Sequence, residues 1–92
     1  VYPPVGLAIT VLPAGYIDIN VGNRGYYYYD GIYYSGVLNN YVVVTPPVGA
    51  VVYTLPVGYR EVKRDNSVFF EFNGTLYGKT TLGGRVAFRV EQ

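Results

Sequence analysis

The sequence predicts an all-β protein built from two 43-residue internal repeats. Half of the 92 residues are hydrophobic, and 12 Gly and 6 Pro divide them into runs of strand length. No segment keeps the 3.6-residue period of a helix. The motif PPVG at residues 3–6 recurs at 46–49, and LPAGY at 12–16 recurs as LPVGY at 55–59, in both cases 43 positions later. Recurrence at one spacing is typical of a duplicated supersecondary unit.

Each repeat is expected to begin with a hairpin whose turn is the LPxGY motif. Pro fixes φ at the first turn position, and Gly15 or Gly58 can adopt the left-handed conformation that closes the loop. A further strand is expected to close each repeat. The predicted hairpin arms are 9–12 with 16–21 and 51–55 with 59–64, and the closing strands are 42–45 and 85–90.

A second, aromatic hairpin is expected in each repeat. Asp30-Gly31 lies within the tyrosine-rich run 26–34, and Asn73-Gly74 lies at the matching place in the second copy. These dipeptides favour a type I′ turn, which requires positive φ at both central residues. We therefore interpret these four residues, like Gly15 and Gly58, as structural turn residues.

The aromatic hairpin is expected to expose one face. Strand alternation places Tyr26, Tyr28 and Tyr33 together, and Glu71 occupies the position of Tyr28 in the second copy. Burying a lone carboxylate is costly, so this face is predicted to be the outward one and a candidate binding surface. The opposite face, predicted to lie in the core, holds Tyr27, Tyr29, Phe70 and Phe72.

The strand before the aromatic hairpin differs between the copies. Ile17, Ile19 and Val21 are replaced in the second copy by residues that include Arg60 and Arg64. Either these arginines extend past the edge of the core, or the strand is an edge strand protected by charge. A solvated edge is a more common role for such a charge cluster than binding.

Neither copy is large enough to bury a sizeable core alone, which favours one domain over residues 1–92. Repeat one would span 3–45 and repeat two 46–90, with a shared core. The fold expected is a small barrel or sandwich, and SH3-like proportions fit the strand lengths and the turn frequency.

The composition argues against an enzyme. Without Cys and His the chain lacks thiolate nucleophiles, imidazole bases and most transition-metal ligands. We therefore predict no catalytic residue, no metal site and no cofactor. The formal net charge of +1 gives no basis for binding nucleic acid. No apolar run reaches the roughly 18 residues of a membrane-spanning helix.

Residues 26–34 (YYYYDGIYY) and 45–62 (TPPVGAVVYTLPVGYREV) resemble an uncharacterised group of short bacterial envelope proteins. In that group Tyr-rich hairpins alternate with PPxGAxVxxLPxGY segments. The likeness covers most of residues 3–78, although the second copy has FFEFNGTLY in place of the tyrosine run. It implies a place in the periplasm or at the cell surface, with any signal or anchor outside this chain.

We therefore expect a non-enzymatic structural or protein-interaction module of the cell envelope. Its partner would be a second copy of the chain or another envelope protein. The alternative is a domain that binds cell-wall glycan or a peptide through Tyr26, Tyr28 and Tyr33. These tyrosines could instead serve only as cross-strand pairs that stabilise the sheet.

Overall fold

A computed structural model describes residues 2–92 of the chain, and in this part it contains β-strands and no helix. The all-β class predicted from the sequence is therefore confirmed. The chain divides into two compact units, of which the first ends at Pro46 and the second begins at Pro47. This boundary lies next to the predicted boundary between the repeats. That the two units share one core stays a prediction.

The first unit is a five-stranded antiparallel sheet with the order β1-β5-β4-β3-β2. Consecutive strands from β2 to β5 are neighbours joined by two-residue turns, whereas β1 lies at the opposite edge and pairs with β5. Its strands are β1 (Ala8–Ile9), β2 (Ile17–Val21), β3 (Arg24–Tyr29), β4 (Ile32–Val37) and β5 (Asn40–Val44).

The second unit repeats this arrangement in the order β6-β10-β9-β8-β7. Its first four strands begin 43 residues after their counterparts, as Ile17 and Arg60 show for β2 and β7. The hairpin between the last two strands is longer than in unit 1. The strands are β6 (Val51–Val52), β7 (Arg60–Arg64), β8 (Ser67–Phe72), β9 (Thr75–Leu82) and β10 (Arg85–Val90).

The aromatic hairpins form as predicted. Asp30 and Gly31 have φ values of 47° and 91°, and Asn73 and Gly74 have values of 49° and 81°. Positive φ at both central residues is what a type I′ turn requires, and its twist matches that of the flanking strands. The turn chemistry therefore sets the register of β3 with β4 and of β8 with β9.

The predicted hairpins around the LPxGY motifs are wrong. Each motif does form a turn, with the Tyr16 N–H donating to the Pro13 carbonyl at 3.3 Å and positive φ at Gly15 and Gly58. However, β1 and β2 lie at opposite edges of their sheet and do not pair, and the same is true of β6 and β7. A turn motif specifies a change of direction, whereas tertiary packing decides which strands pair afterwards.

The segment between β1 and β2 crosses one face of the first sheet and covers part of it. Leu12 packs in a buried cluster with Ile32, Tyr34 and Val43, at the edge of which Ile9, Tyr27 and Tyr41 are half-buried. Burial, together with the influence of Tyr29, raises the pKa of the Tyr34 phenol, which therefore stays neutral. This cluster is the hydrophobic core that the first unit builds from its own residues.

The predicted separation into an inner and an outer face is wrong in part. Tyr28 and Tyr33, expected to be exposed, have exposed fractions of 5% and 0%, whereas Tyr29, expected in the core, is 39% exposed. Neighbouring residues such as Leu76 and Tyr77 are both buried, although their side chains leave opposite faces of the sheet. Both faces of each sheet therefore hold buried residues, and alternation alone does not identify the wet side.

The charged strand β7 is an edge strand, which decides between the two interpretations of its arginines. Arg60 and Arg64 are exposed, and Val62 between them is half-buried. Charge on an edge strand opposes indiscriminate strand pairing. In the part of the chain described, the structure has no helix with the length and apolarity needed to span a bilayer.

We expect Gly36→Ala to destabilise the protein by about 2 kcal/mol or more, because the backbone there requires glycine. Gly36 has a φ of +132°, and a β-carbon at this position would collide with the carbonyl oxygen of Asn40 in the paired strand. Gly78→Ala is the matched control. The three atoms nearest to a β-carbon there all belong to the flexible side chain of Glu91, which can move aside, so its cost should be clearly smaller. Denaturant unfolding of both variants measures the difference, and equal losses would contradict this account.

Candidate functional site

A row of tyrosines lies on the face of the first sheet that the crossing segment leaves partly open. The rings of Tyr16 and Tyr27 meet edge-to-face with centroids 5.5 Å apart, and Tyr27 meets Tyr41 in the same way at 5.6 Å. Tyr16 is exposed, whereas Tyr27 and Tyr41 are half-buried. Edge-to-face contacts are favourable for aromatic rings, so each ring helps to fix the orientation of the next.

Polar groups and glycines border this row and form a shallow open depression. Asp18 lies opposite Tyr27 in the β2–β3 register, and Asn20 lies opposite Gly25. A β-carbon at Gly25 would be 3.6 Å from Oδ1 of Asn20, so the absence of a side chain there leaves space beside the amide. The lining of the depression includes Tyr16, Asp18, Asn20, Gly25, Tyr27 and Gly36. Aromatic rings with a few converging polar groups are typical of a binding site.

The second unit has the same aromatic row with different polar neighbours. Tyr59 meets Phe70 at 5.7 Å, and Phe70 meets Phe88 at 5.5 Å, again edge-to-face. At the places of Asp18 and Asn20 this unit has Glu61 and Lys63, which are exposed. The two units therefore share the aromatic scaffold, but only the first combines it with a carboxylate and a neutral amide.

The three tyrosines predicted to form the binding surface differ in burial, and none of them is fully exposed. Tyr26 is half-buried and lies on the lining of the depression. Tyr28 and Tyr33 are buried, and their rings pack against each other with centroids 4.9 Å apart. An exposed platform of Tyr26, Tyr28 and Tyr33 is therefore contradicted, because two of its three members are packed in the interior.

Sequence reasoning missed the site although a signal for it was present. Tyr16, just before β2, and Asp18 and Asn20 within it alternate with Ile17 and Ile19, which places the polar residues together on one face. The tyrosine run at 26–34, where aromatic residues are densest, instead predicted a site at Tyr26, Tyr28 and Tyr33. The contribution of Gly36 required knowledge of the strand order.

The partners of Glu71 show why its position does not identify the exposed face of the aromatic hairpin. Its Oε1 lies 3.0 Å from Nε of Arg60, and its Oε2 accepts a hydrogen bond of 2.8 Å from the Gly74 N–H. The carboxylate is therefore not a lone buried charge, and it says nothing about the exposure of Tyr28. The hydrogen bond from the Gly74 N–H, and then that from Arg60, holds the pKa of Glu71 below its usual range.

No group of three or more Asp and Glu side chains suited to a metal ion occurs among residues 2–92. Arg89 Nη2 and Glu91 Oε2 form a second ion pair at 3.2 Å, and the guanidinium of Arg85 lies 3.9 Å from the ring centroid of Tyr53. These pairs join neighbouring parts of the second unit. Their geometry is that of surface contacts that stabilise strands and turns.

Fold and site together define a small all-β protein with two five-stranded units and an aromatic depression on the first. Residues 1–91 match a family described as a family of unknown function (DUF6515), and the chain belongs to that family. No curated protein and no solved structure matches the chain.

We expect acid to remove the stabilisation that ionised Glu71 provides, and Glu71→Gln to abolish that part of the pH dependence. Because the folded state lowers the pKa of Glu71, its contribution is present above the unfolded pKa and is lost as pH falls through the folded one. The difference in unfolding free energy between wild type and Glu71→Gln should therefore shrink between about pH 6 and pH 3.

Arg60→Met tests the assignment of causes. It removes one partner of the carboxylate but leaves the Gly74 N–H in place, so the acid dependence should lie between those of wild type and Glu71→Gln. Chemical denaturation at a series of pH values measures all three proteins. A difference between wild type and Glu71→Gln that stays constant over this range would contradict the assignment.

Proposed function

We propose that the protein is a non-enzymatic interaction module of the bacterial cell envelope and that the open face of the first unit contacts its partner. The observation that carries this proposal is the row of Tyr16, Tyr27 and Tyr41 beside the depression. Tyrosine offers a large contact area with few rotatable bonds and is favoured at interfaces. The envelope location rests on the resemblance of residues 26–34 and 45–62 to short envelope proteins.

The roles of the acidic residues support a non-enzymatic function. Asp30 and Asp65 occupy turns with positive φ, and Glu71 and Glu91 are held in ion pairs. Groups that fold the chain in this way are poorly placed to exchange protons with a substrate. The two remaining acids, Asp18 and Glu61, lie on edge strands of different sheets.

Cell-wall glycan is the second candidate ligand, and the depression of the first unit favours it. The exposed ring of Tyr16 offers an apolar face against which a sugar ring can stack. Asp18 and Asn20, exposed on the adjacent strand, offer one anionic acceptor and one amide that both donates and accepts. This combination suits a ligand with many hydroxyl groups.

The location has a direct test. The product of the complete natural gene should sediment with, or be released from, the envelope fraction when bacteria are separated into cytoplasm, membrane and periplasm. Detection of an epitope-tagged product in each fraction measures this, with a cytoplasmic enzyme as the marker for lysis. Recovery mainly with that marker would contradict the envelope proposal.

We expect Tyr16→Ala to weaken binding to purified peptidoglycan by about five-fold, because it removes the exposed ring of the depression. Tyr59→Ala is the matched control, since Tyr59 has the equivalent place in unit 2 and exposed fractions of the two residues are similar, 43% and 46%. Co-sedimentation across a range of peptidoglycan concentrations gives the affinities. Equal binding by both variants would remove the depression as a glycan site, and release of soluble fragments would contradict a non-enzymatic role.

A further inference from the structure

The two long edge strands of the chain carry opposite net charge. Strand β2 has Asp18 as its one charged residue, whereas β7 has three cationic residues and one acidic residue. Both strands pair on one side only, β2 with β3 and β7 with β8. An unpaired strand edge is a template for strand addition, and charge on it determines which strands it accepts.

The hairpin register shows which residues direct their main-chain groups to each free edge. Val21 and Arg24 flank a two-residue turn and form a hydrogen-bonded pair, so alternate residues of β2 bond to β3. Asp18 and Asn20 are the residues left to present N–H and C=O groups outward. The same reasoning from the Arg64–Ser67 pair assigns the free edge of β7 to Glu61 and Lys63. All four residues are exposed.

We propose that β2 of one copy pairs antiparallel with β7 of a second copy, so that the chain associates head-to-tail. One register places Asp18 opposite Lys63 and Asn20 opposite Glu61. In this register the residues whose N–H and C=O groups point to the free edges lie opposite each other and can form hydrogen bonds. The same register also places Ile19 opposite Val62, both half-buried. This inference rests on the proposed function as an interaction module and names its partner as the same chain.

Charge selects this register and this partner strand. Sliding the strands by two residues would place Asp18 opposite Glu61, and like charges directly opposite each other are destabilising. Pairing β7 with another β7 would set Arg60 opposite Arg64 twice, and this repulsion opposes the two Glu61–Lys63 pairs that the same register would form. Pairing β2 with another β2 gains no ion pair, because Asp18 then faces Asn20. The heterologous pair is therefore the one that forms an ion pair without setting like charges opposite each other.

The faces of the two sheets also agree across the proposed contact. Asp18 shares a face with Tyr27, and Lys63 shares a face with the counterpart ring, Phe70, because Tyr27 and Phe70 lie opposite Asp18 and Glu61 in the two registers. Residues directly opposite in an antiparallel pair point to the same side. Strand pairing would thus place the aromatic row of one copy's first unit on the same sheet face as that of the other copy's second unit.

Charge exchange tests the proposal. Sedimentation velocity of the wild type at low salt should show association that grows with concentration, because each copy offers one β2 edge and one β7 edge to its neighbours. Asp18→Lys and Lys63→Asp should each weaken association about ten-fold, because each puts like charges opposite one another. The double variant, which recreates the pair with its charges exchanged, should restore association. Circular dichroism of each variant establishes that it is folded.

Several outcomes would overturn strand pairing. A wild type that stays monomeric up to millimolar concentration rules out the contact, as does a double variant that fails to recover. A dimer that ignores Lys63→Asp would indicate β2 pairing with β2, and association that ignores Asp18→Lys would indicate β7 pairing with β7. A chain that reaches the envelope and stays monomeric would refute strand pairing while leaving the proposed function in place. A self-associating chain that remains in the cytoplasm would refute the envelope location while leaving strand pairing in place.

Discussion

The packing of Leu12 against Ile32, Tyr34 and Val43 organises the first unit. A sheet of this size is stable only if an apolar face is removed from water, and here the chain's own segment between β1 and β2 covers that face. To do so, the segment must run from one edge of the sheet to the other. This requirement separates β1 from β2 and leaves β2 as an unpaired edge. The part of the face that this segment leaves uncovered is where Tyr16 and Tyr27 are accessible.

The two units use one framework for different surfaces. At one cross-strand position the first unit pairs Ile17 with Tyr28, and the second pairs Arg60 with Glu71. In the first pair the Tyr28 ring is packed in the interior. In the second pair the Glu71 carboxylate also accepts a hydrogen bond from the Gly74 N–H of the turn. The two units therefore share strand order and aromatic rows, while different residues on β2 and β7 give the two edges different charge. These differences explain why the polar lining of the depression occurs in the first unit and why the β2 and β7 edges carry opposite charge.

The turn residues were the most predictable part of the fold. Asp30-Gly31 and Asn73-Gly74 adopt the conformation expected of them because positive φ is a local property of the backbone and of the side chain that occupies it. The LPxGY turns were equally predictable as turns, but not as hairpins. The strands before and after each LPxGY turn lie at opposite edges of their sheet, and their closeness in the sequence does not reveal that distance in space. For the candidate site, Tyr26 was identified, whereas Tyr16, Asp18 and Asn20 were not.

The sequence by itself determined the all-β class, the recurrence of motifs 43 residues apart and the positions where the chain reverses, since these depend on local backbone preferences and on the order of residues. Tertiary structure alone decided which face is open. Alternation divides residues between two sides of a strand, but burial depends on what covers each side. Tyr28 and Tyr33 are therefore interior, and the exposed ring of the depression is Tyr16, which precedes the tyrosine run. Glu71 could not reveal this from its position, because the ion pair that makes it compatible with its surroundings exists only in the folded sheet.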